Sequence, residues 1–282
     1  MIRLIGILAG LFFTAGVLWA FVTGAINHIT EPPAPTAEHE FHEHPKSLHL
    51  ASDGPFGHSD KQQLQRGFQV YKEVCSACHG LNHVAFRDLG KLGYNEAEVK
   101  AIAAGFQVPG VDPNTGEATT RAGMPTDYFP KPYPNDIAAR AANNNAVPPD
   151  LSLMAKARHN GPAYIYSLLT GYQEQPAELL KEFPDAKTPA GLHYNPYFPN
   201  LNLAMAPPLT SEDQVSYGDG TKATVDQMSK DVAAFLLWSA EPTLDKRKQT
   251  GWPVLGFLLF ATILAYLSKK QIWADKKGKK KD

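Results

Sequence analysis

The two cysteines of this chain stand three positions apart, with a histidine directly after the second: Cys75-Ser76-Ala77-Cys78-His79. This is the spacing of c-type haem attachment. Two thiols about one helical turn apart can each add to a vinyl group of one porphyrin, and the adjacent imidazole then reaches the iron. Zinc is a competing occupant, with Cys75, Cys78, His79 and His83 as four possible ligands. Zinc sites usually set a longer loop between their two ligand pairs, and neighbouring Cys78 and His79 converge poorly on a tetrahedron. A thiol–disulfide redox pair would sit after a strand in a thioredoxin-like setting, and none is visible. With both cysteines in the motif, none remains for a structural disulfide.

An iron held by His79 needs a sixth ligand, and Met raises the reduction potential in the way electron transfer uses. Of the five methionines, Met1 is terminal, and Met154 and Met228 lie in amphipathic stretches where packing is the default role. Met124 in Gly-Met-Pro and Met205 in Ala-Met-Ala-Pro-Pro-Leu both lie in Pro-braced loops. The double proline favours Met205, with Met124 left open. His39, His42 and His44 stand among glutamates and could bind a metal, but such a tract is more simply a solvated linker.

The motif needs elements to position it. Ser59-Asp60 can cap a helix running from Gln63 to Cys78. Its apolar residues Leu64, Phe68, Tyr71, Val74 and Cys78 follow three-and-four spacing, so one face meets a core. Further helices are expected over Glu96–Ala104, Asn135–Asn144, Pro162–Tyr172 and Val225–Ala240, joined by Pro-rich connections. No alternating strand series and no internal repeat is visible. The expected fold class is mainly α: a cytochrome c-like haem domain with long loops, a C-terminal transmembrane helix and a possible N-terminal one.

Five segments follow. Residues 1–27 are hydrophobic, and the run Leu4 to Val22 is about long enough to cross a bilayer. Thr23 and Ala25 also suit a cleaved secretory signal, so the segment reads as a signal peptide or a retained anchor. Residues 28–50 form a linker rich in Pro, His and Glu. Residues 51–245 form the haem domain, and residues 250–268 an anchor built on the apolar run Trp252 to Leu267. Residues 269–282 are a basic tail with seven Lys and two Asp. Such a cluster stays cytoplasmic, which places the haem domain on the other side. Without Arg3 and the tail, 19 basic residues face 26 acidic ones, a net charge of −7. That excludes a nucleic-acid binder and suits a basic protein partner.

Longer strings surround the motif. They include Arg66-Gly67-Phe68-Gln69-Val70-Tyr71, Asp127-Tyr128-Phe129-Pro130-Lys131-Pro132-Tyr133-Pro134-Asn135 and Ala141-Ala142-Asn143-Asn144. Pro148-Pro149-Asp150-Leu151-Ser152, Ala157-Arg158-His159, Asn195-Pro196-Tyr197-Phe198-Pro199 and Met205-Ala206-Pro207-Pro208 follow. With these the chain resembles the cytochrome c1 family, the haem subunits of cytochrome bc1 complexes, from about Asp60 to the C-terminal anchor. The resemblance implies one covalent haem c on Cys75 and Cys78, with His79 and Met205 as axial ligands. It also implies a haem pocket that includes Asn143, Pro149, Arg158 and Tyr164. Arg158 has a clear physical role there, since a guanidinium pairs well with a haem propionate. The partners implied are cytochrome b, a Rieske iron–sulfur subunit and cytochrome c as acceptor, in a dimeric complex of the bacterial inner membrane with the haem domain in the periplasm. Such a chain is not an enzyme on its own. A free-standing tethered electron carrier and a haem gas sensor or enzyme are the alternatives. Two features depart from the family: no cysteines are spare for the disulfide some bacterial members carry, and the hydrophobic start and His/Pro-rich linker exceed its usual N-terminal segment.

Overall fold

The computed structural model describes residues 2–32 and 34–274. Residues 275–282, which hold most of the expected basic tail, lie outside the described residues. In chain order the helices are α1 (Ile2–Thr30), α2 (Ala37–Phe41), α3 (Lys61–Glu73), α4 (Glu96–Ala104) and α5 (Asp136–Ala142). Then come α6 (Met154–Ala157), α7 (Gly161–Leu169), α8 (Ala177–Glu182), α9 (Val225–Ala240) and α10 (Leu244–Ala274). Two antiparallel pairs join them: β1 (Gln107–Val111) with β2 (Ala118–Ala122), and β3 (His193–Tyr194) with β4 (Asn202–Leu203). The mainly helical class holds, and the strands are an addition to it.

The chain divides into two compact units, Met1–His42 with Pro176–Lys187, and Glu43–Gln175 with Thr188–Asp282. In the first, α1 is exposed along its length and long and apolar enough to cross a membrane. The stretch expected to be an extended linker carries the short α2. Thr36 caps it by accepting the His39 N–H, and Glu38 and Glu40 sit in its first turn, where the helix dipole favours acids. Phe41 meets Phe183 edge to face, with ring centroids 6.2 Å apart.

The second unit is built on the crossing of α3 and α9. Asp60 caps α3 through the Gln62 N–H, and Thr224 caps α9 through the Gln227 N–H. Phe68 and Tyr71 of α3 meet Phe235 of α9 with centroids 5.7 Å apart, and Phe129 and Phe86 extend this aromatic core. Gly67 lies where the helices touch: a Cβ there would stand 2.0 Å from the Asp231 carbonyl oxygen. The same crossing buries Asp231 completely. Its carboxylate accepts from Arg66 Nε at 2.9 Å, Gln227 Nε2 at 2.8 Å and Gln63 Nε2 at 3.1 Å, so the buried charge is paired and hydrogen-bonded.

Several boundaries differ from expectation, and the helix expected over Pro162–Tyr172 runs from Gly161 to Leu169. The first helix of the domain ends at Glu73, and a separate 3-10 turn over Cys75–Ala77 follows it. The helix expected to begin at Asn135 begins at Asp136, because Asn135 turns its side chain back onto the Ala138 N–H as a cap. The C-terminal helix begins at Leu244, well before Trp252, and continues through Lys269 and Lys270. It too is long and apolar enough to cross a membrane.

Candidate functional site

The 3-10 turn gathers the attachment motif. Its geometry brings both the Cys78 N–H, at 3.1 Å, and the His79 N–H, at 2.9 Å, onto the Cys75 carbonyl. Both thiols are free and half-buried, with Cys75 packed against the core. Burial, with the neighbouring Cys78 adding, pushes the Cys75 thiol up to about 12. A redox-active pair needs an accessible thiolate, which this setting opposes. Among the described residues no three His, Cys, Asp or Glu side chains are grouped to hold a metal ion, so neither the zinc reading nor a site on His39, His42 and His44 gains support.

His79 is held from several sides. Its Nδ1 lies 2.8 Å from the Pro149 carbonyl, which can only accept, so Nδ1 carries the proton and Nε2 keeps its lone pair. Burial lowers the imidazole pKa, with the Pro149 bond and the Asp150 charge acting against it, a shift in the direction of the neutral ring that a ligand needs. Tyr71 Oη donates to the His79 carbonyl at 3.2 Å. Asp150 then clasps the loop that follows: Oδ2 accepts the Asn82 N–H at 2.8 Å and Oδ1 the Ser152 N–H at 3.0 Å. The Leu151 N–H bonds to the Gly80 carbonyl at 2.9 Å, and Ser152 Oγ accepts the His83 N–H at 3.0 Å. Ser239 of α9 donates to the Ser152 carbonyl, which ties this strap to the core crossing.

A second cluster holds three more of the expected residues. Tyr172 Oη donates to the Met205 carbonyl at 3.0 Å, fixing the loop that carries that thioether. Burial pushes the Tyr172 hydroxyl up, with nearby Tyr164 adding to it. Burial also raises the Tyr164 hydroxyl, while the Arg158 guanidinium hydrogen-bonded to it works the other way. Arg158 itself is exposed and donates to the Ala157 carbonyl at 3.1 Å. Met205 is half-buried, whereas Met124 is 50% exposed on a turn held by Asp127. Asn143 is half-buried, and its Nδ2 donates to the Ala139 carbonyl at 2.7 Å, closing the last turn of α5 before the chain heads for Pro149.

Asp150, Tyr172 and Tyr71 were not singled out from the sequence as site residues. Tyr71 reads there as core, and its hydroxyl contact is invisible to periodicity. Asp150 did carry a local signal, because Asp two residues before a free N–H often makes the side-chain turn seen here.

Haem attached at the motif needs two available thiols, a neutral imidazole with a free Nε2 and a neighbouring sulfur or nitrogen loop. The first two are present in the bonded turn, and the stiffened Met205 loop is a candidate for the third; these residues fit the group.

The Cytochrome C1 family profile matches residues 50–276. Cytochrome c1 of Rhodospirillum rubrum is 48% identical over 233 residues, covering 79% of this chain and 85% of that one. A mitochondrial cytochrome c1 heme protein of Arabidopsis thaliana is 42% identical over 267 residues, covering 94% of this chain and 83% of its own. A protein named cytochrome b/c1 from Bradyrhizobium diazoefficiens is 46% identical over 237 residues, and this chain spans only 34% of its length. With a matching profile over most of its residues and relatives this similar along most of their own length, the chain belongs to the cytochrome c1 family.

Proposed function

We propose that this chain is the electron-transfer subunit of a cytochrome bc1 complex, taking electrons from a Rieske iron–sulfur protein and passing them to cytochrome c. Cys75 and Cys78 would hold one haem c covalently, and His79 and Met205 would be its axial ligands. When bound, the haem supplies a one-electron iron couple whose potential the axial pair sets. The observation that carries this reading is the His79 Nδ1 to Pro149 carbonyl bond, which orients a neutral imidazole with only Nε2 free. Pro149 and the Asp150 clasp hold that ring against rotation. Tyr172 steadies the Met205 loop, and Arg158, exposed and hydrogen-bonded to Tyr164, would pair with a propionate.

The lysines at 269 and 270 close the apolar part of α10, which favours a cytoplasmic C-terminus and a haem domain on the opposite, periplasmic side of a bacterial inner membrane. A net charge of −7 outside the termini attracts a basic cytochrome c. The longer relative named cytochrome b/c1 supports cytochrome b as a neighbour, and the complex would be dimeric. Purification from membranes in mild detergent, with subunit identification and a reduced-minus-oxidised spectrum, tests this. Cytochrome b and a Rieske protein should accompany a c-type spectrum. A c-type spectrum on a chain that purifies alone would make it a free-standing carrier instead.

A further inference from the structure

The loop from Ala51 to His58 is built onto the first turns of α10. The loop closes on itself through the Asp53 N–H to Leu50 carbonyl and the His58 N–H to Ala51 carbonyl, both at 2.9 Å. Its backbone favours glycine at two places: Gly54 is in the left-handed region at φ +68, and a Cβ on Gly57 would stand 2.0 Å from the Asp53 carbonyl oxygen. Two bonded contacts then fasten it to the helix. Lys248 Nζ donates to the Ser52 and Gly57 carbonyls, and the Asp245 carboxylate accepts both the N–H and the hydroxyl of Ser59. At the tip, Phe56 lies flat on Trp252, with ring centroids 5.0 Å apart and planes 8° from parallel. Yet Phe56 is 70% exposed and Trp252 48%. A structured loop that presents a stacked aromatic pair outward is an apolar surface with no partner inside the domain.

The position of that pair along α10 identifies what covers it. Every described residue after Trp252 up to Phe260 is exposed and all but Pro253 and Gly256 are large and apolar. Trp252 and Trp273 are 21 residues apart, about 32 Å at 1.5 Å per residue. That is close to the hydrocarbon thickness of a bilayer, about 30 Å. Tryptophans at this separation fit the two aromatic belts of one span, where the ring sits at headgroup level.

We propose that the loop Ala51–His58 is a lipid-binding foot: Phe56 and Trp252 together enter the headgroup–acyl boundary of the leaflet beside the haem domain and fix that domain's height above the membrane. The proposal rests on α10 being a membrane span. The lysine and aspartate contacts make the foot and the helix one body, so the domain cannot ride up or tilt without pulling the pair out of the interface.

The test uses the full-length, haem-bearing chain in phosphatidylcholine–phosphatidylglycerol nanodiscs, with one nitroxide on an introduced cysteine. Labels at Pro55→Cys and His58→Cys report the foot, Glu117→Cys on the exposed hairpin turn reports water, and Phe260→Cys reports mid-helix. Each variant is first checked for an unchanged c-type spectrum. Collision with a water-soluble nickel chelate should be several-fold lower at 55 and 58 than at 117. Collision with oxygen should fall between the values at 117 and 260. Phe56→Ser should return the label at 55 toward the value at 117. Foot labels that match 117, or that are shielded from both reagents as protein contacts would shield them, overturn the foot. Nickel access at 260 overturns the span itself, and the foot with it.

Discussion

An axial imidazole must be neutral, must present one particular nitrogen and must not rotate. Around His79 these needs are met by ordinary backbone chemistry: a carbonyl at Pro149 that accepts from Nδ1, and a carboxylate at Asp150 that gathers two N–H groups of the adjoining straps. At Met205 the support is the Tyr172 phenol on the backbone of a proline-stiffened loop, with Gln214 donating to the Pro208 carbonyl three residues on. Replacing Met205 by Leu keeps the loop's apolar volume but removes the sulfur. The expected outcome is a c-type protein with a lower reduction potential that binds carbon monoxide when reduced. Potentiometric titration and the carbon monoxide difference spectrum measure it. An unchanged potential with no carbon monoxide binding would return the role to Met124. The residues proposed to hold the haem were legible because their spacing is chemical: Cys75, Cys78 and His79 would have to be close in sequence to reach one porphyrin. Of the residues that hold them, Pro149 was reached only through the family resemblance and Asp150 and Tyr172 not at all, because they come from far along the chain and meet His79, its following loop and the Met205 loop only on folding.

At the level of elements, the crossing of α3 and α9 decides whether the motif has a floor. Gly67→Ala sets two effects against each other. Ala is favoured over Gly within a helix by roughly 1 kcal/mol. The new Cβ would meet the Asp231 carbonyl at 2.0 Å and Phe235 Cβ at 2.7 Å, both parts of a packed helix rather than flexible side-chain ends. Overpacking of this kind costs about 1–3 kcal/mol and sometimes more, so the clash wins. Thermal unfolding should show Tm lower by several degrees, whereas a higher Tm would mean the helices can slide apart freely. The long helices and their caps could be read from Asp60, Thr224 and the apolar stripes. The hairpin of β1 and β2 could not, since its outward residues dominate and Pro109 and Gly110 argue against a strand. The apolar stripe of α3 runs on through Val74 and Cys78, which is why the switch to a 3-10 turn at Cys75 was invisible in it. Arg66 and Asp231 were hidden for the opposite reason, because a polar pair at a helix crossing carries no hydrophobic period.

Across the whole molecule, one division of labour runs from charge to cofactor. The apolar helices at either end are long and apolar enough to cross a membrane, the domain between them carries a net negative charge that would suit a basic partner, and the motif is the place proposed to hold haem. Family membership rests on similarity along most of the chain, and the covalent cofactor rests on a single turn of it. The most direct test is therefore the mass of the denatured proteolytic fragment that contains Cys75 to His79, from protein isolated out of its own membrane. The account predicts a fragment heavier than its peptide by one haem, and no such addition when Cys75 and Cys78 are both replaced by Ser. A fragment with the mass of the bare peptide, or haem that stays attached without these two cysteines, would contradict it.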